Sequence, residues 1–274
     1  MFKCDELIYI QMHKTGCSHV ASLLSKLFDG QMIGKHNAAT PEDIQSTPYF
    51  ISSIRNPWDW YISLWTFGVQ GNGALMHQLT KRMLPKPSVS LLKNPMSSYQ
   101  TYVREFTKDT ETWRSVYDRS DNVESFRRWL RLIHDHNNSR YLGEGYGDTP
   151  IAKWCGLMTY RYLYLCCRNA QMLKGPARLS SFDDLVQFDH DNCYINYFIR
   201  QEALEDTFCE AIAKVRPLTV TERELVLQLP KTNTSKRMLS SADYYDKESI
   251  ELIRTRDRLL IEKFNYSPPN SKHN

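Results

Sequence analysis

Apolar positions along this chain fall into short runs whose period alternates. Leu7-Ile8-Tyr9-Ile10-Gln11-Met12 is a mostly apolar run of strand length and predicts a short buried strand. The small-residue turn His13 to Ser18 follows. From His19 to Phe28, Val20, Leu23, Leu24 and Leu27 recur at the helical period. Met32-Ile33-Gly34 predicts a second strand ending near His36, and Thr40 caps a short helix from Pro41 to Gln45. Tyr49 to Ile54 predicts a third strand. Asn56-Pro57 then opens an aromatic helix from Trp58 to about Phe67, with proline in its first turn. Strand, turn, helix, strand, helix, strand is the order of an α/β fold with a parallel sheet.

Beyond this core the pattern loosens. Residues 70–120 read as irregular, with Gly71, Gly73, Pro85, Pro87 and Pro95, so residues 70–150 are taken as an insertion. Ser120 to His136 predicts an amphipathic helix with Phe126, Trp129, Leu130 and Ile133 on one side. A more apolar helix is expected from Lys153 to Leu173. Tyr194 to Arg200 returns to strand character, and a helix follows from about Glu202 to Val215. Lys231 to Leu239 is a polar, basic loop, and Asp243 to Phe264 predicts one long charged helix. The tail 267–274, starting Ser267-Pro268-Pro269, is expected to fray. No internal repeat or low-complexity tract interrupts the reading of residues 1–274 as one domain.

Composition narrows the class. With 274 residues, 41% hydrophobic and 24% charged, the chain can bury a large core without staples and is unlike disordered, collagen-like or coiled-coil sequences. A net charge of +4 is too small for general nucleic-acid binding and suits a compact anionic ligand. Residues 1–80 carry 5 basic and 6 acidic side chains, residues 81–131 carry 11 and 6, and residues 132–274 carry 19 of each. The whole surplus therefore lies in residues 81–131. Seven cysteines, with no CxxC and no zinc spacing, fit neither a disulfide framework nor a metal site and predict a reduced, cytoplasmic setting. No signal peptide and no run of about 20 apolar residues is seen, so no membrane span is expected. His134 and His136 face different directions on a helix, Cys166-Cys167 reads as packing, and Arg127, Arg128 and Arg131 read as a solvated face.

Two segments carry candidate chemistry. His13-Lys14-Thr15-Gly16-Cys17-Ser18 joins a buried strand to a helix N-terminus, where backbone N–H groups and the helix dipole favour an anion and a lysine adds a mobile charge. Gly16 permits a tight turn. The Walker pattern is missing, because no glycine lies upstream and Lys14 precedes Gly16. An ordinary strand-to-helix turn with a surface lysine is the other reading. In Arg55-Asn56-Pro57-Trp58-Asp59-Trp60-Tyr61-Ile62-Ser63, Arg55 ends a strand on the edge where open α/β sheets bind ligands. Ser63 returns about two helical turns later to the same face. Together they suit a phosphate monoester; separately, they are a capping arginine and a helix filler.

As a pair, HKTGCSHV at 13–20 and SIRNPWDWYISLW at 53–65 resemble the two nucleotide-binding segments of sulfotransferases that use 3′-phosphoadenosine 5′-phosphosulfate (PAPS). Phe198-Ile199-Arg200-Gln201-Glu202-Ala203-Leu204, and Lys231 to Arg237 followed by Tyr244-Tyr245-Asp246, resemble the late strand, closing loop and helix of bacterial members. The resemblance covers residues 7–67 and 194–266; residues 70–150 match no part of it. It implies a P-loop-like three-layer fold with a central parallel sheet and a largely helical insertion. It also implies PAPS as sulfuryl donor, 3′,5′-adenosine bisphosphate as product, and no metal. By the resemblance, Lys14, Thr15, Gly16, Cys17, Ser18 and His19 hold the 5′-phosphosulfate, Arg55 and Ser63 hold the 3′-phosphate, and Lys236 or Arg237 reaches it from the late loop. Cys17 departs from the family's Gly or Thr, and His19 from a hydroxyl or aromatic residue.

Sulfuryl transfer to an acceptor hydroxyl calls for a base, and Lys14 is expected to stabilise the leaving bridge oxygen. The family places its base between the two nucleotide segments. His36 fits that interval, with an ordinary imidazole pKa near 6.5. Glu42 and Asp43 lie there too, in a helix start where capping explains them. The acceptor is expected to be a carbohydrate or other small metabolite, anionic or oxygen-rich if the basic 81–131 stretch faces it. A P-loop kinase using ATP and magnesium, and a non-catalytic nucleotide-binding protein, are the competing readings.

Overall fold

The computed structural model describes residues 1–46, 49–84, 95–175, 179–230 and 239–269. The apolar run near the N-terminus forms β2 (Ile8–Ile10), wholly buried in the middle of a five-stranded sheet. Around it lie β1 (Phe2–Lys3), β3 (Gln31–Met32), β4 (Phe50–Ile54) and β5 (Tyr197–Arg200), in the order β3-β1-β2-β4-β5. β2, β4 and β5 run parallel, with Tyr9 opposite Ile51 and Ser52 opposite Phe198. β1 is antiparallel to both its neighbours, so the sheet is mixed where a parallel one was expected. The cause is connection length. A tight turn closed by the Cys4 N–H to Leu7 carbonyl bond (3.0 Å) joins β1 to β2, and so short a link permits only antiparallel pairing. The expected strand at Met32-Ile33-Gly34 is also displaced. Gln31 and Met32 pair with β1 at the exposed sheet edge, where Met32 is 44% exposed.

Alternation along the strands feeds two cores. Ile8, Ile10, Phe50 and Ile54 face one, while Tyr9, Ile51 and Ile199 face the other. The second core is covered by α1 (Cys17–Leu27) and, much later, by α10 (Leu204–Ala213) and α11 (Val220–Gln228). On the first face, after the short α2 (Pro41–Ser46), lies α3 (Pro57–Val69). Asn56 caps α3 by accepting from the Trp58 N–H at 3.0 Å, and Pro57 takes the first helical position. Trp58, Trp60, Tyr61, Ile62 and Trp65 are all buried, as befits a helix apolar on every side.

Residues 70–120 are more helical than their glycines and prolines suggest. They contain α4 (Ala74–Thr80), α5 (Pro95–Thr107) and α6 (Thr110–Ser115). Asp109 starts α6 by accepting from the Glu111 and Thr112 N–H groups. α7 (Val123–His134) matches the predicted amphipathic helix, capped by Asn122. Leu75, Leu79, Trp113, Phe126 and Trp129 join the same core as α3, so the insertion is not a separate body. The apolar stretch at 153–173 is shorter than expected: α8 (Leu157–Cys166) lies between 3-10 turns, and Asn169, at φ 58°, marks its far boundary. α9 (Phe182–Asn192) begins at a reciprocal Ser181–Asp184 cap. The helix expected from Glu202 begins as a 3-10 turn, Gln201–Ala203.

The long C-terminal helix is broken into α12 (Ser241–Tyr244), α13 (Lys247–Arg256) and α14 (Arg258–Phe264). The first break falls at Tyr245-Asp246, where Asp246 caps α13, and the second at Asp257, which is fully buried. Its carboxylate accepts from Tyr61 Oη at 2.8 Å, the Thr159 N–H at 2.9 Å and Thr159 Oγ1 at 2.7 Å. A side chain at Gly156 would overlap that carboxylate, at 2.4 Å. Arg256 ties the same joint to the carbonyls of Lys153 (2.6 Å) and His134 (2.8 Å). Among the described residues no helix is long and apolar enough to cross a membrane. Asp257 thus locks α3, α8 and the C-terminal helices together. Asp257→Ala leaves three buried donors without an acceptor and should cost at least about 3 kcal/mol, with Asp257→Asn milder. Urea midpoints at unchanged m-value measure this, and a loss below about 1 kcal/mol would refute the locking role.

Candidate functional site

The carboxyl ends of β2 and β4 open into a cleft of about 680 Å³. The turn after β2 bends sharply, with Lys14 at φ 59° and Gly16 at φ 79°. Glycine is favoured there: the backbone is one L-residues rarely adopt, and a Cβ would sit 2.7 Å from Leu204 Cδ1, which would have to move. Its carbonyl accepts the His19 and Val20 N–H groups, which starts α1. α1 has neither a side-chain cap nor an acidic residue in its first turn, so the positive end of its dipole is not offset by its own residues.

Lys14, Gly16, Cys17, Ser18, His19, Arg55, Ser63 and His36 all line the cleft. Arg55 Nη1 donates to the Lys14 carbonyl at 3.3 Å, so the two loops touch. The Lys14 ammonium lies 3.7 Å from the Phe67 ring centroid, a cation–π contact. Cys17 and His19 are nearly buried in the first turn of α1. The side chain of Thr15 is wholly buried and does not line the cleft. Thr15 Oγ1 donates to the Met12 carbonyl at 2.9 Å and meets Ser53 Oγ at 2.6 Å, which in turn meets Tyr9 Oη at 2.7 Å. Thr15 pins the turn to β4. Lys236 and Arg237 lie outside the described residues.

His36 reaches the cleft from the loop after β3, with φ at 57°. Its Nδ1 lies 2.8 Å from the Gln11 carbonyl and must donate there, which leaves Nε2 as the lone-pair nitrogen of the neutral ring. Burial, reinforced by the nearby Arg161 cation, holds its pKa below the ordinary imidazole value, while Gln11 and Glu144 pull the other way. Asp43 is engaged elsewhere: its carboxylate accepts from Thr40 and from Lys3 at 2.5 Å, and Thr40 caps its N–H in return.

Several groups in the cleft were not legible in the motifs. His13 stacks on His36 with centroids 3.6 Å apart and planes 14° apart. Desolvation, then Arg161 and His36, drive its pKa far down, so it is neutral. Glu144 projects from a loop in the insertion and is gripped by Arg161 through Nε (2.8 Å) and Nη2 (2.7 Å). Lys35 completes the cationic lining. Only the neighbouring glycines of Glu144 hinted at a special backbone, and nothing in the local sequence pairs Arg161 with it.

The described basic residues of 81–131 do not line the cleft, and several are engaged elsewhere. Of the described residues in this stretch only Tyr117 lines the cleft. Lys108 is buried against Glu105, Arg114 donates to the Thr80 carbonyl, and Arg119 pairs with Asp121. Arg127, read as solvated, is half-buried against Glu124 and the Tyr244 carbonyl. Away from the cleft, Cys167, Asp189 and Cys193 cluster within 4.8 Å. Lys263 Nζ (2.6 Å) and Tyr162 Oη (2.6 Å) already engage that carboxylate, which makes the cluster an ion pair beside two thiols. All seven cysteines are free thiols. Comparison with protein-family models, curated proteins and solved structures finds no match to this chain.

Proposed function

We propose that this protein is a sulfotransferase on a P-loop-like scaffold, moving the sulfuryl group of PAPS to an acceptor hydroxyl of a carbohydrate or other small metabolite. One observation carries the reading: the cleft gathers Lys14, Gly16, Ser18, Arg55, Ser63 and His36 from the turn after β2, the loop after β3, the end of β4 and α3. These are the residues expected to hold a 5′-phosphosulfate, a 3′-phosphate and a base. The cleft's described lining has four cations, Lys14, Lys35, Arg55 and Arg161, and one carboxylate, Glu144. Glu144 is already committed to Arg161, which is a poor start for a magnesium site of the kinase kind. The free thiols accord with a reducing, cytoplasmic setting.

PAPS, when bound, supplies an activated sulfuryl group with a phosphate leaving oxygen. The N–H groups of the first turn of α1 and the Lys14 ammonium face charge developing on that oxygen. Arg55 and Ser63 hold the 3′-phosphate and so fix the nucleotide's orientation. His36 takes the acceptor's hydroxyl proton at Nε2 as the new S–O bond forms and the old one breaks in line. Its Nδ1–H bond to Gln11 fixes the tautomer this requires.

Nucleotide binding tests the site directly. At 100 times its Kd, 3′,5′-adenosine bisphosphate should add about 2.7 kcal/mol, a rise of several degrees in melting temperature. Arg55→Ala should lose at least roughly tenfold in affinity, the loss of a charge-assisted pair. Stabilisation by ATP and magnesium alone would establish the kinase reading instead, and no shift with either would remove both.

The base has its own signature. His36→Gln should lower turnover by ~10²–10⁴-fold while leaving nucleotide affinity intact. Because the pKa of His36 is depressed, the ring stays in its basic form below the usual imidazole range. The acid limb of kcat/KM should therefore fall below pH ~6.5. A limb above that value, or near-normal turnover in the variant, would exclude His36.

A further inference from the structure

We infer that Glu144 is the acceptor-recognition residue of this cleft and selects a neutral polyhydroxyl acceptor of the carbohydrate class. Its carboxylate would accept a hydrogen bond from a hydroxyl neighbouring the reacting one. The inference rests on the sulfuryl-transfer reading for the word acceptor, but its evidence is independent of the nucleotide segments.

The backbone supplies the first observation. Gly143, Glu144 and Gly145 are consecutive residues at φ 79°, 56° and 78°. Glycine tolerates that conformation, whereas a long L side chain in it costs about 1–2 kcal/mol. A glutamate held there is strained, and such strain persists only where the surroundings over-determine it. They do so here. Tyr160 Oη donates to the Glu144 carbonyl at 2.5 Å, and the Arg161 fork, 4% exposed, grips the carboxylate with two bonds.

The second observation is the carboxylate's position. Its side chain is 35% exposed and lines the cleft. Glu144 Oε1 is 3.6 Å from His13 Nε2, beyond hydrogen-bond length, and His13 stacks directly on His36. The carboxylate therefore lies at the edge of the ring that stacks on His36. It has about four acceptor directions, of which the arginine fork takes two. An ion pair with a buried arginine gains little stability over an apolar pair of the same volume, so packing alone gives no reason for a strained glutamate here.

The chemistry of the acceptor follows. A hydroxyl adjacent to the reacting one satisfies the open acceptor directions. An acceptor lacking it leaves the acceptor directions that Arg161 does not take unfilled beneath the bound ligand, the situation by which polar sites reject deoxy analogues. An acceptor with its own carboxylate or sulfate at that place meets like charge, so of the expected anionic and oxygen-rich classes the geometry favours the second.

Ligand-observed NMR measures binding of methyl hexopyranosides, the matching hexuronates and monodeoxy analogues, each with and without 3′,5′-adenosine bisphosphate. The wild-type protein should bind at least one neutral glycoside about tenfold or more tightly than its uronate and one of its deoxy forms. Glu144→Gln should cut the uronate discrimination at least tenfold. Glu144→Asp, whose shorter acidic side chain tolerates the left-handed backbone, should keep the charge discrimination while losing affinity for the glycoside. Nucleotide affinity should stay within twofold in both variants. If Glu144→Gln does not melt cooperatively, the aspartate variant alone decides the matter. Equal or tighter binding of uronates by the wild type, no glycoside binding at all, or unchanged preferences in the variants would overturn the inference. Glycoside discrimination without nucleotide binding would instead overturn the sulfotransferase reading and leave Glu144 as a polyol-recognition residue.

Discussion

The parallel pairing of β2 with β4 is the constraint on which the site depends. Two of the cleft-lining loops leave from the carboxyl ends of these two strands, so their register decides whether the loops meet. Ile10 opposite Ser52 sets that register, and Ser52 Oγ reinforces it by donating to the Ile10 carbonyl at 2.9 Å. A directed chain of buried hydroxyls then fastens the turn: Tyr9 donates to Ser53, Ser53 to Thr15, and Thr15 to the Met12 carbonyl. Each hydroxyl has one proton, and this order uses each once. A slip of one residue would invert every strand side chain and separate Lys14 from Arg55.

That hierarchy explains what was legible in the sequence. α3 was readable because its cap, its proline and its aromatic run all agree, and α1 because its apolar spacing is regular. The place of His36 at the cleft was readable from its position after the second predicted strand, and that of Asp43 from its capping partner. The inward turn of the Thr15 side chain was not legible, because a motif specifies a residue type at a position and not the direction of its side chain. β1 and β3 have two residues each, too few for any period to register, so the antiparallel edge was invisible. The break at Asp257 carries no glycine or proline. It exists because Tyr61 and Thr159, distant in sequence, supply donors to a buried carboxylate.

Charge follows the same logic. The surplus in residues 81–131 reads as a binding patch only while the chain is linear. Folded, Lys108 and Arg114 go to carboxylate and carbonyl partners, and the cleft takes its cations from segments that are neutral or acidic in bulk. An anion in this cleft would be held by placed groups and by the end of α1. Bulk charge would then affect the rate of encounter more than the affinity.

The two stacked imidazoles bring these strands of reasoning together. A base must be neutral before it acts and must tolerate positive charge afterwards. Burial and Arg161 keep His36 in the basic form, and Gln11 holds the tautomer that frees Nε2. Were His36 to take up a proton, as the proposed transfer requires, it would have an oriented carbonyl at Nδ1 and a neutral ring against its face, because His13 is held uncharged by its own desolvation and by Arg161. Glu144 lies just beyond that ring, and its attraction favours the imidazolium. The Arg161 cation acts against that attraction. The fork that holds Glu144 in the cleft thus also counters the proton affinity that Glu144 lends His36, which is what the proposed transfer would require of a base.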